Sequence, residues 1–215
     1  MVRGHRGHRA HGAGAARAPH RRYRGGLWRP AQVAKSVAEI IEAGAVGINL
    51  EDGTPSADAP IRSIEDAASR IRAARYAARE AAIPIVINAR IDLYLKQVGD
   101  RASRLAETVR RAEAYVEAGA DCIYPFAVTD AETIGRLTKA ISAPINIVGH
   151  VGTPDVPTLE RLGVRRVSTA SSLTMMAIDE TQRVARELRQ RGSFDILNYK
   201  AKRPDIQKLF ARGKQ

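Results

Sequence analysis

The 215-residue chain has one cysteine, no apolar run approaching the roughly 20 residues that cross a bilayer, and no Asp or Glu in its first thirty positions. A single cysteine excludes an intramolecular disulfide framework. The N-terminus lacks the apolar stretch of a secretory signal, so a cytoplasmic protein without membrane attachment is the expectation. No glycine-rich dinucleotide fingerprint follows a strand-like segment, which argues against a Rossmann domain. What is present is 44% hydrophobic, enough for a core of ordinary size.

Charge is placed unevenly. Residues 1–30 carry eight Arg, no Lys and four of the five His (His5, His8, His11, His20). The rest of the chain holds 27 Lys+Arg against 23 Asp+Glu, so most of the formal charge of +12 belongs to this arm. The arm has no helical or strand periodicity and is expected to be disordered alone. Three readings stand: an Arg/Gly arm that contacts nucleic-acid phosphates, histidines that chelate a metal, or a segment with no evolved role.

From Ala31 the texture changes. Gln32–Ala43 is an amphipathic helix with Val33, Val37, Ile40 and Ile41 on one face, ended by Gly44. The apolar run Ala45–Leu50 follows and stops at Glu51-Asp52. The unit returns: Tyr115–Pro125 (YVEAGADCIYP) repeats Ile40–Leu50 (IIEAGAVGINL), and Leu159–Thr169 is a looser copy. Strands are expected near 45–50, 84–90, 121–125, 144–148 and 165–169. Helices are expected at 63–82, 101–118, 130–141 and 172–190. This alternation predicts a parallel sheet with helical crossovers, over 31–198, followed by a basic tail, 199–215.

Polar residues gather where these strands end, the rim that carries chemistry in a (β/α)₈ barrel. The adjacent carboxylates Glu51 and Asp52 can hold a hard cation such as Mg²⁺, or serve as a helix cap or solvated acids. Asn88, Arg90 and Asp92 alternate along one strand and share a face. Arg90 can grip a carboxylate with two hydrogen bonds, or form a structural ion pair with Asp92 or Glu51. Asn146 is a ligand donor or a strand-end cap. Ser168–Ser172 opens a helix, as an anion site or as N-caps. His150 reads as a surface residue, Cys122 as a small core residue, and Met175-Met176 as core packing.

The segments GAVGINLEDG (44–53), RSIEDAASRIRAARYAAREA (62–81), IPIVINARID (83–92), EAGADCIYPF (117–126), APINIV (143–148) and LERLGVRRVSTASSL (159–173) resemble the isocitrate lyase/phosphoenolpyruvate mutase superfamily, in order and spacing. The resemblance implies an (α/β)₈ barrel, commonly oligomeric through exchanged C-terminal helices. It also implies Mg²⁺-dependent making or breaking of a C–C or P–C bond in small 2-oxo or 2-hydroxy acids, through an enolate. By resemblance Glu51 matches the acid of the metal site that acts through water. Arg90 matches the arginine that binds the substrate anion. From their place at the strand ends, Asn88 and Asn146 are expected as further substrate contacts. Nucleic acid is not an expected partner under this reading.

Two departures matter. The loop after Glu51-Asp52, GTPSADAPIRS (53–63), has no Cys, Lys or His, unlike the Lys-x-Cys-Gly-His loop of isocitrate and methylisocitrate lyases. It looks more like the mutase, phosphonopyruvate hydrolase and oxaloacetate decarboxylase side. The family's principal metal carboxylates, in an Asp-x-Glu/Asp-x-Gly-Tyr-Gly motif, should fall near 22–28, where RYRGGLW stands. Codons permitted for Arg17–Pro30 also read VPLTADIEAGYGD one base later, so residues 1–29 are expected to be an out-of-frame translation. The resulting expectation is a partial barrel lacking about its first three strands, with impaired catalysis. The alternative is a non-catalytic module with an Arg-rich nucleic-acid-binding arm.

Overall fold

The computed structural model describes residues 29–199. The arm's first 28 residues, with their proposed frame change, and residues 200–215 of the tail lie outside the described residues. In between, helices and strands alternate: α1 Pro30–Glu42, β1 Gly47–Glu51, α2 Ile64–Glu80, β2 Val86–Ile91, α3 Arg101–Glu117, β3 Cys122–Pro125, α4 Ala131–Ala140, β4 Asn146–Val148, α5 Val156–Arg161, β5 Arg166–Ser168 and α6 Ser172–Arg191. A 3₁₀ turn, Asp195–Leu197, follows.

All strand pairings are parallel and join neighbours in sequence. Gly47 lies opposite Val86 and Glu51 opposite Arg90; Asn88 lies opposite Cys122 and Arg90 opposite Tyr124; Asn146 lies opposite Arg166. A parallel bridge between Ile123 and Ile145 connects the first three strands to the last two. The order β1-β2-β3-β4-β5 with a helix in each connection is that of a partial (β/α)₈ barrel. It is not closed among the described residues, where β1 pairs on one side only.

Strand alternation sorts residues between two layers. Ile87, Ala89 and Ile91 point to the helices and are wholly buried. They meet Ala67, Ala68, Ile71, Ala74, Ala77 and Ala78 of α2 within one core. The alanines let the helix approach the sheet closely, and each buried isoleucine contributes about 1.5–3 kcal/mol. The opposite, inner face carries Asn49 and Glu51 of β1, Asn88 and Arg90 of β2, Tyr124 of β3, Asn146 of β4 and Ser168 of β5.

Helix starts follow their caps. Ser63 Oγ accepts from the Asp66 amide at 3.1 Å, and Asp100, Asp130 and Asp155 cap α3, α4 and α5 in the same way. The repeated unit ends each helix with a glycine in the left-handed region: Gly44 at φ +90°, Gly119 at +104° and Gly163 at +91°. β2 begins at Val86, later than the expected 84. Pro84 has no amide to donate, and Ile83 is 42% exposed.

Helix α6 departs from the pattern. None of its residues is buried, and Leu173, Met175, Met176 and Ile178 are exposed. The core role expected for Met175-Met176 is therefore corrected: among the described residues no element covers that face. Cys122 is buried, as a small core residue would be, and burial pushes its thiol up. His150 is exposed in a loop.

Candidate functional site

The β1 and β2 ends build one ion cluster around Arg90. Its Nε donates to Asp92 Oδ1 at 2.6 Å and an Nη donates to Asp92 Oδ2 at 3.2 Å. The other Nη reaches Glu51 Oε2 at 2.9 Å. The guanidinium lies over the Phe126 ring, 3.9 Å from its centroid. Phe126 meets Tyr124 edge-on at 5.3 Å. Both structural partners considered for Arg90, Asp92 and Glu51, are thus engaged. Asp92 is 3% exposed at its side chain, whereas Glu51 is 55% exposed and free to leave.

Gly53 makes room for this clamp. A Cβ there would stand 2.3 Å from Asp92 Oδ2. The loop it opens is closed by an antiparallel bridge to Ile61, and Lys96 Nζ donates to the Thr54 carbonyl at 3.1 Å.

The structure separates Glu51 from Asp52. Glu51 points to the inner face, and Asp52 points to the helices, where it is 1% exposed. Asp52 Oδ1 accepts from the Asp92 amide at 2.9 Å. Its Oδ2 accepts from Arg111 at 3.0 Å and from the Tyr115 hydroxyl at 2.8 Å. Arg111 also donates to the Arg62 carbonyl and to Glu107. Burial pushes the Asp52 carboxyl up, against the pull of the Asp92 amide, Tyr115 and Arg111. Burial and the adjacent Asp52 charge push the Tyr115 hydroxyl up as well. The metal role expected for Asp52 is corrected accordingly: both its oxygens face protein donors, and it ties the strand ends to α3.

Glu51 therefore stands without its neighbour. Among the described residues no group of three or more His, Cys, Asp or Glu is placed to hold a metal ion. Mg²⁺ takes six oxygen ligands in near-octahedral geometry, commonly with one or two carboxylates and several waters. Of the residues predicted for it, one exposed carboxylate remains, already paired with Arg90. The described residues do not fit a Mg²⁺ site by themselves.

Asn88 and Asn146 lie on the inner face, 3% and 0% exposed. Asn88 Nδ2 donates to Asn49 Oδ1 at 2.7 Å. Asn146 Nδ2 donates to Ser168 Oγ at 3.3 Å, and Ser168 Oγ donates to the Tyr124 hydroxyl at 3.0 Å. The serine cluster is thereby split. Ser168 turns inward, and Ser171 stands at the N-cap of α6 without a side-chain cap hydrogen bond. Ala170 between them has φ +47°.

Sequence reasoning missed Asn49, Phe126, Tyr124, Arg111, Tyr115 and Gly53. The signal for Asn49 was a polar residue at an alternate position in an apolar strand, in phase with Glu51. Arg111 and Tyr115 lie 59 and 63 positions from Asp52, and no local pattern joins them.

A cleft of about 790 Å³ runs from α1 past β1 to Arg90, Asp92 and Lys96. Its lining includes Ile48 and Leu50 from one face of β1 with Asn49 and Glu51 from the other. It therefore wraps the unpaired edge of β1, the space a neighbouring strand takes in a complete barrel.

Comparison with known proteins gives a consistent picture. The phosphoenolpyruvate phosphomutase family matches residues 24–189. The 2-methylisocitrate lyase of Escherichia coli K12 is 30% identical over 84% of this chain and 67% of its own length. Oxaloacetate decarboxylase 2 of Pseudomonas fluorescens Pf0-1 is 28% identical over 75% of this chain and 55% of its own. A crystal structure of a provisionally assigned lyase/mutase from Burkholderia cenocepacia J2315 superposes with a TM-score of 0.76 at 38% identity, over 85% of this chain and 65% of that one. A phosphonopyruvate hydrolase in complex with oxalate and Mg²⁺ shares the fold, with a TM-score of 0.70 at 24% identity, over 86% of this chain and 65% of that one. The chain spans half to two thirds of the length of the curated relatives it matches. Among the described residues no helix is long and apolar enough to cross a membrane.

Proposed function

The chain belongs to the phosphoenolpyruvate phosphomutase family, within the superfamily that includes isocitrate lyases, and from that premise we propose that its inner face binds the carboxylate of a small 2-oxo or 2-hydroxy acid through Arg90. The reaction class that fits is heterolysis of a C–C or P–C bond next to that carboxylate, with the enolate charge developing beside the guanidinium.

One observation carries the reading. Arg90 has five N–H donors; Asp92 takes two and Glu51 one. Two remain for a substrate carboxylate, on a group fixed at a strand end by Asp92 and Phe126. The same geometry sets a limit. Arg90 with Asp92 and Glu51 sums to a charge of −1, so an incoming anion competes with Glu51. Glu51 is the exposed member and the one to swing aside.

Calorimetric titration of the full chain with oxalate tests this. Oxalate is expected to bind weakly without added metal, more tightly to the Glu51→Gln variant, and not detectably to Arg90→Lys, since the ammonium cannot replace a planar fork. Oxalate binding that survives Arg90→Lys unchanged would remove Arg90 from the site. The oligomeric assembly of relatives is proposed for this chain through α6, whose apolar face is uncovered; light scattering of the Leu173→Glu and Met176→Glu variants should show loss of self-association.

A further inference from the structure

The edge of β1 that faces away from β2 presents bare backbone to the cleft beside α1. The Val46 carbonyl accepts from the Val86 amide at 2.9 Å, and the Asp52 amide donates to the Arg90 carbonyl at 3.1 Å. Strand alternation then turns the amides and carbonyls of Gly47, Asn49 and Glu51 away from β2. All three residues are exposed, and among the described residues β1 pairs only with β2. Little blunts this edge: the strand GINLE has no Pro or Lys, and its register against β2 is unbroken. Alongside runs the cleft of about 790 Å³, walled by Val33, Ser36, Val37 and Ile40 of α1. Val33 to Ile40 is a rise of about 10 Å and Gly47 to Glu51 one of about 13 Å, so helix and edge flank the same length of space.

We propose that residues 24–28 of this chain occupy the cleft as an added strand, parallel to β1. Twenty-eight residues precede Arg29, and the point where they end fixes where they can go. They join α1 through Arg29, which is extended, with φ −60° and ψ 150°. Pro30 favours that conformation in the residue before it, and the Gln32 side chain accepts from the Arg29 amide at 3.0 Å. Only four residues separate Glu42 from Gly47, so α1 runs back along β1 and its start lies near the Glu51 end. A segment that enters α1 from the β1 edge completes a right-handed strand–helix–strand crossover, the hand such connections take. Its attachment at Arg29 gives it an effective concentration that a separate molecule does not match. Strand addition is made by main-chain hydrogen bonds, and Gly25 and Gly26 bring no Cβ to the edge. Leu27 and Trp28 fall on opposite faces of such a strand, so in either phase one of them meets Val33, Val37 and Ile40.

Hydrogen exchange of the outward amides, followed by NMR on the full chain, tests this. The Gly47, Asn49 and Glu51 amides are expected to exchange about a hundredfold or more slowly than those of unstructured chain, at a rate unchanged by dilution. Gly26→Pro and Leu27→Pro then read the pairing itself. Adjacent residues of a strand aim their amides to opposite sides. One of these prolines therefore takes a donor from β1 and returns its outward amides to fast exchange, while the other faces away and leaves them slow. Trp28, the sole tryptophan, supplies a readout that needs no variant: acrylamide should quench it severalfold less in the folded chain than in urea. Fast exchange at all three amides, or a Trp28 as open to acrylamide as it is in urea, overturns the proposal. Protection that both prolines abolish in folded protein overturns it too, because the segment then covers the edge without pairing to it. So does protection that neither proline touches; if dilution removes that protection, the edge belongs to a second copy of this chain instead.

Discussion

Replacing Arg111 with Met should destabilise the protein severely, and in a manner that depends on pH. Arg111 is 9% exposed at its side chain and Asp52 1%. The substitution leaves the buried carboxylate with the Tyr115 hydroxyl and the Asp92 amide as its remaining donors, and strips the Arg62 carbonyl of a donor. Breaking a buried pair from one side is worth about 3–5 kcal/mol. For a chain of this size that is a fall in Tm of about 6–20 °C. Asp52 already titrates above its ordinary 3.8 because it is buried, and loss of the guanidinium raises it further. A carboxyl raised on folding contributes stability that is complete below 3.8 and is lost as pH climbs through the folded value. The variant's deficit should therefore be larger at the alkaline end of the range than at the acid end. Urea unfolding followed by far-UV circular dichroism at pH 8, 7, 6 and 5 measures both quantities. A deficit under about 0.5 kcal/mol at pH 7, or one independent of pH, would refute the reasoning. The double variant Asp52→Leu with Arg111→Met supplies the control: removing both charges should restore most of the lost stability.

Three further outcomes are expected. Gly53→Ala places a methyl 2.3 Å from Asp92 Oδ2; it should displace the Asp92 clamp, weaken oxalate binding and lower stability by about 1–3 kcal/mol in urea titration. The Ser103 amide and hydroxyl hold the Asp100 carboxyl below its ordinary range, and the Thr158 hydroxyl and amide do the same for Asp155. Their stabilisation is present above pH 3.8 and lost as pH falls through their lowered values, so Asp100→Ala and Asp155→Ala should flatten the loss of stability between pH 5 and 2.5. Finally, Mg²⁺-supported decarboxylation of oxaloacetate, followed as pyruvate released, should be weak or absent in this chain; turnover at the level of full-length relatives would show that a metal site exists beyond the described residues.

Much of the fold was legible because the αβ unit is spelled twice with the same letters. The EAGA segments place a left-handed glycine between a helix and a buried strand, and Gly44 and Gly119 adopt that conformation. Strand alternation also contained the fate of Asp52. It is in phase with Ile48 and Leu50, which face the helices, and out of phase with Asn49 and Glu51. Treating Glu51-Asp52 as a joint cation site ignored that period of two. Other features had no local signal. Arg111 sits among the charged residues of α3, and nothing nearby marks it as the one that is buried. The exposed face of α6 was misread for the opposite reason: its apolar residues have helical spacing, but spacing does not say whether anything lies opposite.

The divergence at Glu51-Asp52 has an evolutionary consequence. On the proposed reading, two adjacent codons answer to different selection pressures: one to how the protein handles its ligand, the other to how much folded protein a cell retains. A growth-based mutational scan would score both positions as intolerant and merge them into one motif. An abundance scan run beside it would part them, with substitutions at Asp52 depleting the protein and those at Glu51 leaving its level intact. Retention of the dipeptide in a lineage that has lost catalysis would then be informative about one letter only, since the aspartate would persist for as long as the fold does.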